Sequence, residues 1–155
     1  MTGRPVRVIG LGAPLRGDDA VGREVARRLR AHAPPGVEIH DSDGETAALV
    51  ELLEGARAAI LVDACRSGAA PGALRRLDAA AGPLPAGLGA VSTHGLGPAE
   101  AIELARALGV LPPRCLVYAI EAARFDPGAP LTPAVALAAE RAAERILEDL
   151  ALPHV

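Results

Sequence analysis

The chain has 155 residues and a net charge of −3, contains no Lys, Asn, Gln or Trp, and takes all sixteen of its basic residues as Arg. That balance gives no electrostatic footprint for nucleic acid, and the missing lysine excludes a phosphate-loop lysine, a Schiff base and a Ser-Lys dyad. The length fits one domain, residues 1–155, able to bury roughly two-thirds of its unfolded surface.

Val6 to Ile9 is a short apolar run with β-branched residues, as a buried strand requires. Gly10, Gly12, Pro14 and Gly17 punctuate a turn. Asp18 and Asp19 fall where a helix begins, with Val21, Val25 and Leu29 on its inner face and Arg23, Arg27 and Arg30 opposite. Val37 to His40 reads as a second strand ending at Asp41. Thr46 is placed to cap a helix over Ala47 to Glu54, stopped by Gly55.

Ala58 to Val62 is continuously apolar, which indicates burial on both faces, and ends in Asp63. A loop from Cys65 leads to a weaker, more polar strand over Gly72 to Leu77, expected at an edge. Asp78 to Gly97 is the longest irregular stretch and carries Ser92-Thr93-His94-Gly95. A loop of that length in a compact domain is usually functional or mobile. Pro98 suits the first turn of a helix ending at Gly109. Cys115 to Ile120 is another buried strand, ending at Glu121, and Thr132-Pro133 opens a last helix running to about Leu150.

Strands alternate with helices, so the expected fold is α/β: a three-layer α/β/α sandwich around a mainly parallel twisted sheet of about five strands. The early first strand leaves no room for a signal peptide, and no apolar run approaches ~18 residues. A soluble, cytoplasmic protein that makes no membrane contact is expected. Cys65 and Cys115 form no metal-binding pair and read as small core residues. His32, His40 and His154 read as surface or terminal residues.

In a parallel sheet, ligands bind beyond the carboxyl ends of the strands. Asp19 follows the first strand's loop and Asp63 ends the third, so both emerge at one edge, and the long loop can bring His94 over them. Two carboxylates and an imidazole suit an open site for a borderline divalent ion such as nickel or zinc. Each also has a plainer role. Asp18 can cap the helix, Asp19 can complement its dipole, Asp63 can cap a turn, and His94 can be a solvated loop histidine.

Gly10-Leu11-Gly12-Ala13-Pro14-Leu15-Arg16-Gly17-Asp18-Asp19-Ala20-Val21-Gly22 resembles the opening motif of the hydrogenase maturation proteases. Leu61-Val62-Asp63-Ala64, the loop from Ser67-Gly68 to Pro71-Gly72, Ser92 to Gly97, Val117 to Glu121 and Leu131 to Val135 resemble later blocks of that family, in order. The resemblance implies an endopeptidase that removes a short carboxy-terminal extension from the nickel-loaded precursor of a nickel–iron hydrogenase large subunit. It also implies that Asp19, Asp63 and His94 are the nickel-binding and catalytic residues, with the nickel supplied by the substrate. Two positions depart from the family pattern. Ala13 stands where an Asn is usual, and Glu45 stands where Gly-Gly-Thr is common, which puts an additional side chain near the expected substrate groove. Glu121 is expected either to support the site or to hold structure.

Two other functions compete. A nucleotide-binding α/β enzyme would use the Gly10–Gly17 loop to cradle phosphates. Leu15 occupies the third glycine's place, however, and Asp18 and Asp19 would repel the ligand. A non-cleaving binder of the hydrogenase precursor is the other alternative.

Overall fold

The computed structural model describes residues 3–85 and 98–152. Five strands, β1 (Val6–Leu11), β2 (Val37–Ser42), β3 (Ala58–Cys65), β4 (Leu74–Asp78) and β5 (Arg114–Glu121), form one sheet in the order β2-β1-β3-β5-β4. All neighbours are parallel except β4, which runs antiparallel on the far edge of β5. Helices α1 (Val21–Arg30) and α4 (Pro133–Leu150) pack on one face, and α2 (Thr46–Glu54) and α3 (Pro98–Ala107) on the other. The sequence expectation of a three-layer sandwich holds, including the polar edge strand.

The two faces follow from strand alternation. Val6, Val8, Ile60, Val62, Leu116, Tyr118 and Ile120 point to α1 and α4, where Val21, Val25, Leu29, Val135, Ala139 and Ile146 meet them. Ile9, Leu11, Ala59, Leu61, Cys115 and Val117 point the other way, against Leu49, Leu53, Ala101, Ile102 and Ala105. β3 is buried at every residue, the central position its continuous apolarity implied. Small residues let α1 lie close: a Cβ on Gly22 would sit 2.4 Å from the Val62 carbonyl oxygen. The start of α1 is thereby fixed against the carboxyl ends of β1 and β3.

One polar cluster pins α4 to the sheet. The Tyr118 hydroxyl donates to the Asp149 carboxylate, and Arg76 of β4 approaches the same group at 2.8 and 3.2 Å.

Three local expectations need correction. The strands continue past their expected ends, β1 to Leu11, β2 to Ser42 and β3 to Cys65, because parallel pairing carries through the polar residues at the rim. Thr46 is the first residue of α2 and not its cap. Glu45 takes that role, its carboxylate accepting from the N–H groups of Ala47 and Ala48 at 3.0 and 2.8 Å. The side chain expected beside a substrate groove is thus folded back on its own helix. Arg23, expected to face solvent, turns to the first loop and donates from Nε to the Gly12 carbonyl at 2.6 Å.

Candidate active site

Loop 12–17 leaves β1 and doubles back so tightly that a Cβ on Gly12 would lie 1.8 Å from the Asp19 carbonyl oxygen. Gly12 has φ +136°, backbone that favours glycine. The loop closes with a single 3-10 turn, Gly17–Ala20, which carries both acids. They diverge there. Asp18 is fully buried and points to the far side of the rim. It accepts the N–H groups of Ala123, Arg124 and Thr132 at 2.8–3.0 Å, together with the Thr132 hydroxyl. Burial alone would raise its pKa; these donors outweigh it and hold the carboxyl below its ordinary value. Asp18 therefore fastens the β1 loop to the segment between β5 and α4, a role no local motif signals.

Asp19 turns inward. One of its oxygens accepts the Ala13 N–H at 3.0 Å, so a main-chain donor orients the acid. Arg23 anchors the other end of the same peptide unit through the Gly12 oxygen. Asp63 arrives from β3. The register pairs Gly10 with Val62, which sets Asp63 one step further, at the rim beside the β1 loop. Its Oδ1 accepts the Ala64 N–H at 2.8 Å. Burial first, and the Asp19 charge second, raise the Asp63 carboxyl to about 7 against the modest help of that N–H. The remaining oxygen of each acid takes no hydrogen bond among the described residues.

His94 lies outside the described residues, as do the other residues of Ser92-Thr93-His94-Gly95. It stands four positions before Pro98, the first residue of α3. The short connection from Ala107 to Arg114 makes α3 run opposite to β5. Pro98 is therefore at the carboxyl edge of the sheet, on the face that Ala59, Leu61 and Asp63 share. Among the described residues, no group of three or more metal-ligating side chains gathers. Asp63 lies close enough to Asp19 to feel its charge, and the third candidate belongs to the adjoining segment.

Glu121, at the end of β5, resolves as a fastener of the loop after β3. It accepts the Ser67 N–H at 2.9 Å and the Ser67 hydroxyl at 2.6 Å, with the Cys65 thiol at 3.6 Å. Burial, with Glu121 beside it, pushes the Cys65 thiol up to about 12, and burial does the same to Cys115. Neither is a thiolate nucleophile near neutral pH. On the outer side of β2 a groove of about 630 Å³ is lined by His40, Asp41 and Ser42 together with Arg7 and Arg23. It ends at the site, because the Ser42 carbonyl accepts the Gly12 N–H. The first free amide of the loop, Ala13, is taken by Asp19 and not offered to a phosphate.

No described helix is long and apolar enough to cross a membrane. A family model described as HycI, hydrogenase maturation protease, matches residues 23–149. Among solved structures, the hydrogenase maturating endopeptidase HybD from E. coli is 27% identical with a TM-score of 0.80, over 94% of this chain and 91% of that one. The [NiFe] hydrogenase maturation protease HycI from Thermococcus kodakarensis KOD1 is 26% identical with a TM-score of 0.73, over 95% and 92%. No curated protein sequence matches the chain.

Proposed function

Because the chain belongs to the hydrogenase maturation protease family, a family of endopeptidases, we propose that it removes a carboxy-terminal extension from the nickel-loaded precursor of a nickel–iron hydrogenase large subunit. The observation that carries this reading is the pair Asp19 and Asp63. Two carboxylates sit at one rim, each held by a main-chain N–H and each with an oxygen to spare. No described basic group neutralises Asp63, whose raised pKa records an unmet negative charge. A divalent cation supplies what the pair lacks, and oxygen donors with one imidazole suit nickel.

In this reading the metal arrives as the substrate's own cargo. Asp19 and Asp63 bind it at the rim, and His94 completes the set from the segment leading into α3. A cation there polarises a carbonyl oxygen or lowers the pKa of a water. The chain's own part is to position and to carry protons. Ala13 N–H and Arg23 hold the Asp19 carboxylate in place. Asp63, which titrates near neutrality, gives up its proton when the cation arrives. The groove beside β2 offers the extension a course away from the rim.

The test mixes the protein with nickel-loaded precursor and, separately, with nickel-free precursor, and reads the precursor's mass. A loss at the carboxy terminus only with nickel supports the reading. Association without mass loss identifies a non-cleaving binder, and neither outcome in the presence of a bound nucleotide points to the nucleotide enzyme.

A further inference from the structure

Leu15 combines two features that stability does not explain. It is the one non-glycine residue with positive φ among the described residues, at +62°. It is also 78% exposed, more than any other large apolar side chain described. Left-handed backbone crowds the Cβ of an L-residue, and such strain persists only where surroundings enforce it. Here they do. The Leu15 carbonyl accepts the Gly128 N–H at 2.6 Å, Gly17 N–H donates to the Ala129 carbonyl at 3.1 Å, and Asp18 grips residues 123, 124 and 132. The loop is clasped on both sides of Leu15, so the side chain is held out into water by a rigid mount.

Its position gives that exposure a use. The same loop begins with Gly12 and Ala13, which orient Asp19, so Leu15 stands two positions beyond the amide that holds this acid, on the loop a partner meets at the rim. On the adjoining segment, Arg66 lies over the Phe125 ring at 4.4 Å, and Gly17 packs against the Phe125 backbone. An apolar tip on a pre-ordered loop loses little entropy on binding, which is how a small contact becomes an affinity-determining one.

We propose that Leu15 is the apolar anchor that seats the folded body of the precursor on the rim, inserting into an apolar recess beside its metal. The proposal rests on the protease reading and assigns it a docking residue distinct from the acids. Leu15 contacts the partner's surface and takes no part in bond breaking.

The experiment measures KM and kcat on nickel-loaded precursor, direct association with that precursor, and melting temperature. The proteins are the wild type, Leu15→Ser, Leu15→Met, Leu15→Gly and the control Leu108→Ser, which is exposed beyond the far end of α3. Leu15→Ser raises KM about tenfold with kcat within about twofold, and weakens association equally. Leu15→Met restores both to within about threefold. Leu15→Gly binds as poorly as Ser yet melts no lower than the wild type, since glycine accepts positive φ without strain. Leu108→Ser changes neither constant. An unchanged KM and affinity in Leu15→Ser, or a loss that tracks melting temperature across the set, overturns the proposal. A wild type that binds without cutting sinks the protease reading alone, because association still decides what Leu15 does. A wild type that does not bind the precursor sinks both.

Discussion

Gly10 of β1 and Gly22 of α1 face each other with no room between them: a Cβ on Gly10 would lie 2.2 Å from the Gly22 carbonyl oxygen. A Cβ on Gly22 would in turn lie 2.3 Å from the Leu11 carbonyl. The obstacle in both cases is backbone, which cannot swing aside as a side chain can. Gly22→Ala therefore lifts α1 from the sheet and displaces the turn that carries Asp19. A loss of about 3 kcal/mol in stability is expected, with a fall in processing. Gly82→Ala, where nothing lies within 4 Å of the added atom, serves as the control and changes little. Urea unfolding of the three proteins checks this.

Asp18→Ala strands three main-chain N–H groups and one hydroxyl inside the protein. A loss of about 3 kcal/mol or more follows, since buried donors without acceptors are costly. The pH dependence has a definite sign. The folded carboxyl lies below its ordinary value, so its contribution is full above about pH 4 and is lost as pH falls through the folded pKa. The stability gap between wild type and Asp18→Asn accordingly narrows only in strong acid, which melts between pH 2 and 7 will reveal.

Asp63 behaves in the opposite way. Its folded pKa of about 7 lies above the unfolded value, so the folded chain holds the proton more tightly. The contribution of this one group is most favourable below about pH 4 and declines as pH rises from there through 7. Asp63→Asn removes this penalty. At pH 8 it is expected to be more stable than wild type by on the order of a few kcal/mol, with the difference vanishing toward pH 4. Nickel added at pH 8 raises the melting temperature of the wild type and not of Asp63→Asn. A variant that melts lower than wild type at pH 8 contradicts the assignment of an unmet charge.

His94→Ala and Asp19→Ala are expected to keep the fold and lose processing by more than about a hundredfold, the scale on which metal ligands and their supports act. Far-ultraviolet circular dichroism and precursor mass together check it. Cleavage by both variants at the wild-type rate removes the basis for the three-residue site.

Glu45→Ala removes the cap of α2 and costs about 1 kcal/mol, or a few degrees in melting temperature. Cleavage is expected to continue near the wild-type rate, because the carboxylate is spent on Ala47 and Ala48. A large change in KM instead would place Glu45 in contact with substrate.

The layers, the doubly buried strand and the polar edge strand were legible because burial writes itself into the sequence, whereas the order of the other strands was not. Continuous apolarity over Ala58 to Val62 marked the central strand, and Arg75 and Arg76 marked β4 as an edge. Asp19 and Asp63 were legible for a related reason: acids ending buried strands or opening the next helix fall at the same rim. What stayed hidden depends on partners distant along the chain. The donors to Asp18 lie 105 to 114 positions away, so its neighbourhood in sequence suggested only a helix cap. Arg23 kept the helical spacing of a solvent-facing residue while its flexible side chain reached a carbonyl 11 positions back. Glu45 outcompeted Thr46 because its longer side chain spans two amides, a choice capping preferences do not anticipate.

The bond network around Asp18 also orders events during synthesis. Residues 123 to 132 leave the ribosome long after the β1 loop, and until they arrive this acid has no donors to justify its burial. An amino-terminal fragment thus keeps the loop, and the carboxylate beside it, unset. The β1 loop, made first, is therefore among the last parts of the rim to be fixed.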